Sequence, residues 1–162
     1  MVKILFVCHG NICRSPMAEF IMKDLVEKAG FSAASRTDGV EADFIIDSAA
    51  TSREEIGNDV HRGTRRKLAQ MNIPCGEHRA RQVTKQNYAY YDLLIIMDDE
   101  NRRGIKRILG EDPENKIHLM LEYAGKNRDV ADPWYTGNFD VTYDDILLGC
   151  KALLKTLIKQ RL

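Results

Sequence analysis

The sequence predicts an α/β protein whose parallel sheet is doubly wound, with helices on both faces. Two observations support this prediction. Short apolar runs typical of buried parallel strands alternate with segments of helical periodicity, and the connections between them are short. In such folds, ligands bind beyond the carboxyl ends of the strands, at the point where the strand order reverses.

Four apolar runs predict the strands. They cover residues 2–7, 44–47, 93–97 and 117–120. After the first run, apolar residues recur at helical spacing from Met17 to Ala29 and stop at Gly30, which predicts a helix with one apolar face.

Two further helices are predicted in the second half of the chain. Asp98 and Asp99 open one of them, because acidic residues favour the first turn, and Gly110 closes it before the fourth strand. The last helix carries an apolar stripe over residues 146–158, so Cys150 is predicted to be a packing residue.

The length of 162 residues predicts a single domain, residues 1–162, that buries a core without disulfides or metal. Lysines and arginines number 24, as do aspartates and glutamates, so the net charge of zero gives no support for binding nucleic acid or a membrane surface. The basic clusters at residues 62–67 and 102–107 are interpreted as solvated helix faces. With no signal peptide predicted and no apolar window near the ~20 residues that span a bilayer, we expect a cytoplasmic protein.

The four cysteines, at positions 8, 13, 75 and 150, are too few and too irregular for a disulfide framework. The histidines show no metal-ligand spacing, so no metal and no cofactor are predicted.

The segment V-C-H-G-N-I-C-R-S-P at residues 7–16 lies where the first strand gives way to the first helix. Amides at a helix start and in a curled loop bind the oxygens of a phosphoryl group, and the same field favours the thiolate of Cys8 as a nucleophile. Arg14 can hold two phosphate oxygens with its planar fork. Ser15 has two possible roles, which are capping the helix or donating a hydrogen bond to Cys8.

This segment resembles the phosphate-binding loop of the low-molecular-weight protein tyrosine phosphatases. The resemblance implies a four-stranded parallel sheet, Cys8 as the nucleophile, Arg14 as the phosphate-binding arginine, and Asn11 and Ser15 as braces of the loop. It also implies phosphotyrosine-containing protein as substrate, inorganic phosphate or another oxyanion as a loop ligand, and a monomer or weak dimer. The predicted substrate-binding residues of the loop are His9, Gly10, Asn11, Ile12, Cys13 and Ser15.

Residues 129–137, D-V-A-D-P-W-Y-T-G, predict a rigid loop lined by aromatic residues rather than a helix. Position alone does not choose the catalytic acid among the aspartates. The family resemblance assigns general acid catalysis to Asp132. Trp134 and Tyr135 are predicted to form a pocket wall, the alternative being that one of them packs in the core.

Two further stretches bear on the pocket. Many relatives carry an aromatic residue on the rim where this chain has Arg53, Glu54 and Glu55, so Glu54 is predicted to form an acidic lip that disfavours acidic substrate sequences. His78 is expected to brace the loop from behind. Asp98 is interpreted as a structural residue, although an aspartate at this position can contact the loop in the family.

Several alternatives remain open. A protein arginine phosphatase uses the same scaffold, but such proteins tend to carry threonine where this chain has Ile12. An arsenate reductase would need cysteines in addition to Cys75. A thiol redox sensor would form a reversible disulfide between Cys8 and Cys13, which we expect as regulation of the phosphatase. A phosphate-binding module without catalysis is a further alternative, and the combination of Cys8, Arg14 and Asp132 argues against it.

Overall fold

The computed structural model describes residues 1–161, and within them a parallel sheet of five strands forms the centre of the molecule. The strands are β1 Val2–Cys8, β2 Ala33–Ala34, β3 Phe44–Ala50, β4 Leu93–Ile96 and β5 Ile117–Leu119. Their order across the sheet is β2-β3-β1-β4-β5, and every neighbouring pair is parallel.

The expected number of four strands is therefore corrected to five. Each of the four apolar runs forms a strand, as predicted, and the additional strand is the two-residue β2. Ala33 and Ala34 pair with Phe44 and Ile45 of β3. A strand this short leaves no apolar run in the sequence, because its existence depends on the neighbour that it pairs with.

Six α-helices accompany the sheet in the described part of the chain. They are α1 Arg14–Lys28, α2 Arg62–Gln70, α3 Lys85–Tyr90, α4 Asp99–Leu109, α5 Pro133–Thr136 and α6 Phe139–Arg161. The three predicted helices correspond to α1, α4 and α6. The single turn of α5 occupies residues that were expected to form a loop, and that expectation was wrong.

The core has two halves, one on each face of the sheet. Along β1, Ile4 and Phe6 point into the half covered by α1 and α6, whereas Leu5 and Val7 point into the half that holds Ile105 of α4. The first half also contains the fully buried Cys150, which confirms its packing role. Helices on both faces thus confirm the doubly wound prediction.

The central strand β1 positions the candidate site. The chain passes from β1 through α1 to β2 and β3 on one side, and from β4 through α4 to β5 on the other side. The strand order therefore reverses between β1 and β4, and their carboxyl ends border a crevice. None of the helices described is long and apolar enough to cross a membrane.

Candidate active site

The Cys8 thiol lies at the carboxyl end of β1, only 4% exposed, and is held by Ser15. Its Sγ atom is 3.0 Å from Ser15 Oγ and accepts a hydrogen bond from the Ser15 amide at 3.4 Å. Ser15 Oγ accepts a hydrogen bond from Asn11 Nδ2 at 2.8 Å, which leaves the hydroxyl hydrogen to be donated to Cys8. Because α1 starts at Arg14 without a side-chain cap, the alternative capping role of Ser15 was wrong.

The carbonyl groups of the loop at residues 9–13 point away from its concave centre and toward neighbouring parts of the protein. Asn11 has a φ of 60°, and its carbonyl oxygen accepts a hydrogen bond from His78 Nε2 at 2.6 Å. The Ile12 carbonyl accepts from the His61 amide at 2.8 Å, and the Cys13 carbonyl accepts from Thr64 Oγ1 at 3.3 Å.

The loop amides, in contrast, are not used by the protein. No described residue accepts a hydrogen bond from the backbone N–H groups of residues 10–13. A curled run of unused amides at the start of α1 forms a concave site for an anion. The bracing role expected of His78 is matched by its hydrogen bond to the loop.

Arg14 is 3% exposed and is fixed by groups from distant parts of the chain. Its Nη1 atom donates to Asp98 Oδ2 at 2.8 Å and to the Val130 carbonyl at 3.0 Å, and Nη2 lies 3.4 Å from Asp132 Oδ2. Burial by itself lowers the pKa of Arg14, but the negative charges of Cys8, Asp132 and Asp98 raise it above its ordinary value. The guanidinium is therefore charged and held in one orientation.

Asp98 and Asp132 are each fixed by the helix that they cap. Asp98 Oδ1 accepts from the Asn101 amide at the start of α4, at 2.7 Å. Asp132 Oδ1 accepts from the Trp134 amide at the start of α5, at 3.0 Å, with Pro133 in the first helical position. In both residues the second carboxylate oxygen is left to face Arg14, so Asp98 is structural and also contacts the loop region.

These groups surround a cavity of about 250 Å³. The predicted site residues that line it are Cys8, His9, Gly10, Ile12, Cys13, Arg14, Glu54, Asp132, Trp134 and Tyr135. Asn11 and Ser15 are fully buried and do not line the cavity, and Asn11 Nδ2 braces the loop by donating to Ser15 Oγ. Trp134 and Tyr135 are 66% and 82% exposed, so the alternative that one of them packs in the core was wrong.

The mouth of this cavity is acidic. Glu54, Glu55 and Glu100 all line it, and Glu54 Oε2 is 3.0 Å from His9 Nε2. Glu100 was not among the predicted site residues. Its place in the sequence offered one indication of this role. It lies two residues after Asp98, in the first turn of α4, which follows the carboxyl end of β4 beside the loop.

Cys13 is a second thiol in the same loop. Burial raises its pKa to about 12, and the nearby charges of Cys8 and Asp132 act in the same direction. Both cysteines are free thiols in the structure. Cys13 thus remains protonated at neutral pH.

Comparison with known proteins agrees with this geometry. The family model described as low molecular weight phosphotyrosine protein phosphatase matches residues 3–162. The low molecular weight protein-tyrosine-phosphatase YfkJ of Bacillus subtilis is 38% identical over 99% of both chains, and its crystal structure superposes with a TM-score of 0.88 over 100% of this chain and 98% of that one. The low molecular weight phosphotyrosine protein phosphatase of Gallus gallus is 36% identical, covering 94% of this chain and 93% of its own.

A solved structure with a different stated activity has the same fold. The Drosophila arginine phosphatase DARP is 29% identical and superposes with a TM-score of 0.79, covering 96% of this chain and 98% of its own. The match of the family model over residues 3–162 and the two relatives above 30% identity decide the classification. The chain therefore belongs to the low molecular weight phosphotyrosine protein phosphatases, a family of phosphoric monoester hydrolases.

Proposed function

We propose that this protein is a tyrosine phosphatase that hydrolyses phosphotyrosine in proteins through a cysteinyl-phosphate intermediate. The observation that carries the proposal is the convergence of three groups on one cavity. Cys8 accepts hydrogen bonds from Ser15, Arg14 is held beside it by Asp98, and Asp132 lines the same cavity with its Oδ2 atom 3.4 Å from Arg14 Nη2. A nucleophile, an anion clamp and an acid are the groups that this reaction needs.

In the first step, the Cys8 thiolate attacks the phosphorus atom in line with the tyrosine oxygen. The S–P bond forms, the P–O bond breaks, and protonated Asp132 gives its proton to the leaving oxygen. Arg14 and the amides of residues 10–13 stabilise the equatorial oxygens as charge builds on them. The exposed Trp134 and Tyr135 are suited to pack against the substrate ring.

In the second step, the Asp132 carboxylate takes a proton from water, and the water oxygen attacks the phosphorus. The S–P bond breaks, inorganic phosphate leaves, and Cys8 returns as the thiolate that Ser15 stabilises. One carboxyl group thus serves as acid and then as base, and the reaction requires no cofactor.

Phosphoarginine is a second candidate substrate, and the acidic mouth favours it. Glu54, Glu55 and Glu100 could pair with the guanidinium group of such a substrate. The apolar Ile12 in the cavity wall, together with the two exposed aromatic side chains, favours phosphotyrosine.

The deciding experiment measures phosphate release from a phosphotyrosine peptide and from phosphoarginine. We expect wild type to prefer the peptide, and Cys8→Ser to lose the activity. Asp132→Ala should lose about 10²- to 10⁴-fold on phosphotyrosine and less on an aryl phosphate with a more acidic leaving group. An inactive wild type would refute the proposal, and a preference for phosphoarginine would establish the second candidate.

We further propose that a Cys8–Cys13 disulfide protects the enzyme against peroxide. Peroxide converts the Cys8 thiolate to a sulfenic acid, and the Cys13 sulfur then displaces water to form the disulfide. Because burial raises the pKa of Cys13 to about 12, its attack is expected to be slow at neutral pH and faster at pH 9. Wild type treated with peroxide should regain activity with dithiothreitol. Equal recovery of Cys13→Ser would contradict the protective role.

A further inference from the structure

A second cavity lies beside the active site, between α2 and the turn that joins α5 to α6. Its volume is about 570 Å³, and Arg62, Arg66 and Lys67 line it from α2 while Asn138 and Phe139 line it from the turn. We call this cavity the α2 groove. Gly63 forms part of its wall and permits close packing there, because a Cβ atom at this position would come within 2.3 Å of the Phe139 ring.

The α2 groove carries uncompensated positive charge. Lys67 Nζ is paired with Asp140 at 2.8 Å. Arg62 and Arg66 are exposed, lie one helical turn apart, and have no ion-pair or hydrogen-bond partner among residues 1–161. Two unpaired guanidinium groups at this spacing can each bind a carboxylate through two parallel hydrogen bonds.

The α2 groove and the active-site cavity share a wall. His61 lines the groove, Trp134 lines the active-site cavity, and their rings meet edge to face with centroids 6.3 Å apart. His61 also stacks on Phe139 at 5.5 Å and donates its amide hydrogen to the Ile12 carbonyl. A substrate chain that leaves the active site over this wall would enter the groove directly.

We propose that the α2 groove binds acidic side chains of the phosphoprotein substrate, a few residues away from the phosphotyrosine. This inference rests on the proposed function and adds a sequence preference to it. An extended chain advances about 3.3 Å per residue, so a side chain about two to four positions from the phosphotyrosine spans the shared wall. Glu54, Glu55 and Glu100 repel acidic residues elsewhere at the mouth. We therefore expect acidic residues to be preferred on only one side of the phosphotyrosine in the substrate sequence.

The test uses three phosphotyrosine peptides that differ only in charge and its position. One carries three glutamates before the phosphotyrosine, one carries them after it, and one carries glutamines at all these positions. We expect Arg62→Gln combined with Arg66→Gln to lower kcat/KM about three- to tenfold for one of the two glutamate peptides, and 0.5 M NaCl to reduce this difference. The glutamine peptide and p-nitrophenyl phosphate should be hydrolysed as by wild type.

Arg103→Gln combined with Arg107→Gln is the matched control. These two arginines are also exposed, unpaired among the described residues and one turn apart, but they lie on α4 and line neither cavity. An equal loss in both double variants, or equal losses on both glutamate peptides, would show general charge attraction and overturn the proposal. An unchanged preference in the α2 variant would overturn it as well. If wild type hydrolyses none of the peptides, the proposed function fails, and this inference fails with it.

Discussion

The orientation of Arg14 depends on two carboxylates, each of which also caps the start of a helix. Asp98 and Asp132 each give one oxygen to the amides of a helix start and direct the other toward the same guanidinium group. The helix fixes the carboxylate, and the carboxylate fixes the arginine. The position of the proposed phosphate-binding group thus depends on backbone geometry rather than on flexible side chains alone.

This double role makes the two functions of Asp98 separable by substitution. Asp98→Asn keeps an oxygen that can cap α4, but it removes the charge that pairs with Arg14, so we expect kcat/KM to fall about ten- to a hundredfold with little change in stability. Asp98→Ala should lose the cap too and lower the free energy of unfolding by about 1 kcal/mol more. Steady-state kinetics and urea unfolding distinguish the two effects. Equal stability of both variants would contradict the capping role.

Cys8 and Arg14 belong to one short motif, so the sequence could predict that they lie close together, and both line the same cavity. It left two roles open for Ser15, since the choice depends on where the helix begins. The contacts of Arg14 with Asp98 and Val130 join positions 84 and 116 residues apart, so no local pattern indicates them. Glu100 was missed for a related reason, because only the fold brings the start of α4 to the mouth of the cavity.

The short helix α5 forms where the sequence predicts a loop. Asp132 followed by Pro133 predicts a rigid loop, although an aspartate before a proline is also a favourable start for a helix. The helix lasts one turn and ends at Gly137, whose φ of 66° suits glycine. Helical periodicity requires more residues than this, so it could not distinguish α5 from a loop.

The packing of α6 on the segment that follows β5 gives a prediction for one glycine. A Cβ atom on Gly149 would lie 2.8 Å from Met120 Cγ and 3.0 Å from the Met120 carbonyl oxygen, which cannot move aside as a side chain can. We expect Gly149→Ala to lower the free energy of unfolding by about 1–3 kcal/mol. This net loss arises because the steric clash costs more than the ~1 kcal/mol by which alanine favours a helix over glycine. Urea unfolding measures the change.

Gly76→Ala is the matched control for this prediction. Its added Cβ atom would make only an ordinary contact, 3.7 Å from the Phe20 ring. We expect its stability to stay close to that of wild type. A stable Gly149→Ala variant would show that α6 can move away from Met120, contrary to the packing argument.

At the scale of the whole molecule, the two-sided core was predictable because it follows from the alternation of apolar strands and amphipathic helices. The same core sets the response of the protein to alkaline pH. Burial raises the pKa of Cys13 and Tyr123 to about 12, and it raises the pKa of Tyr91 and Cys150 above their ordinary values. These groups lie in different parts of the chain, so their ionisation affects the stability of the whole fold rather than that of one element.

The direction of the pH dependence follows from proton binding in the two states. In the unfolded chain, thiols and phenols lose their protons near pH 8.5 and 10, whereas these buried groups keep theirs to higher pH. The unfolded state therefore binds fewer protons between about pH 9 and 12, and the free energy of unfolding falls as pH rises, by up to ~1.4 kcal/mol per pH unit for each group. The urea midpoint, measured in a reducing buffer, should decrease steadily over this range.

Tyr123 offers a way to test this account with one substitution. Its hydroxyl has no hydrogen-bond partner among the described residues, so Tyr123→Phe removes an ionisable group without removing a contact of that hydroxyl. We expect this variant to show a shallower loss of stability between pH 10 and 12, because the unfolded state no longer gains a phenolate at that position. Tyr135→Phe, which removes a phenol that is 82% exposed, should retain the wild-type slope. Equal slopes for the two variants would mean that the ionisation of Tyr123 does not contribute to alkaline unfolding.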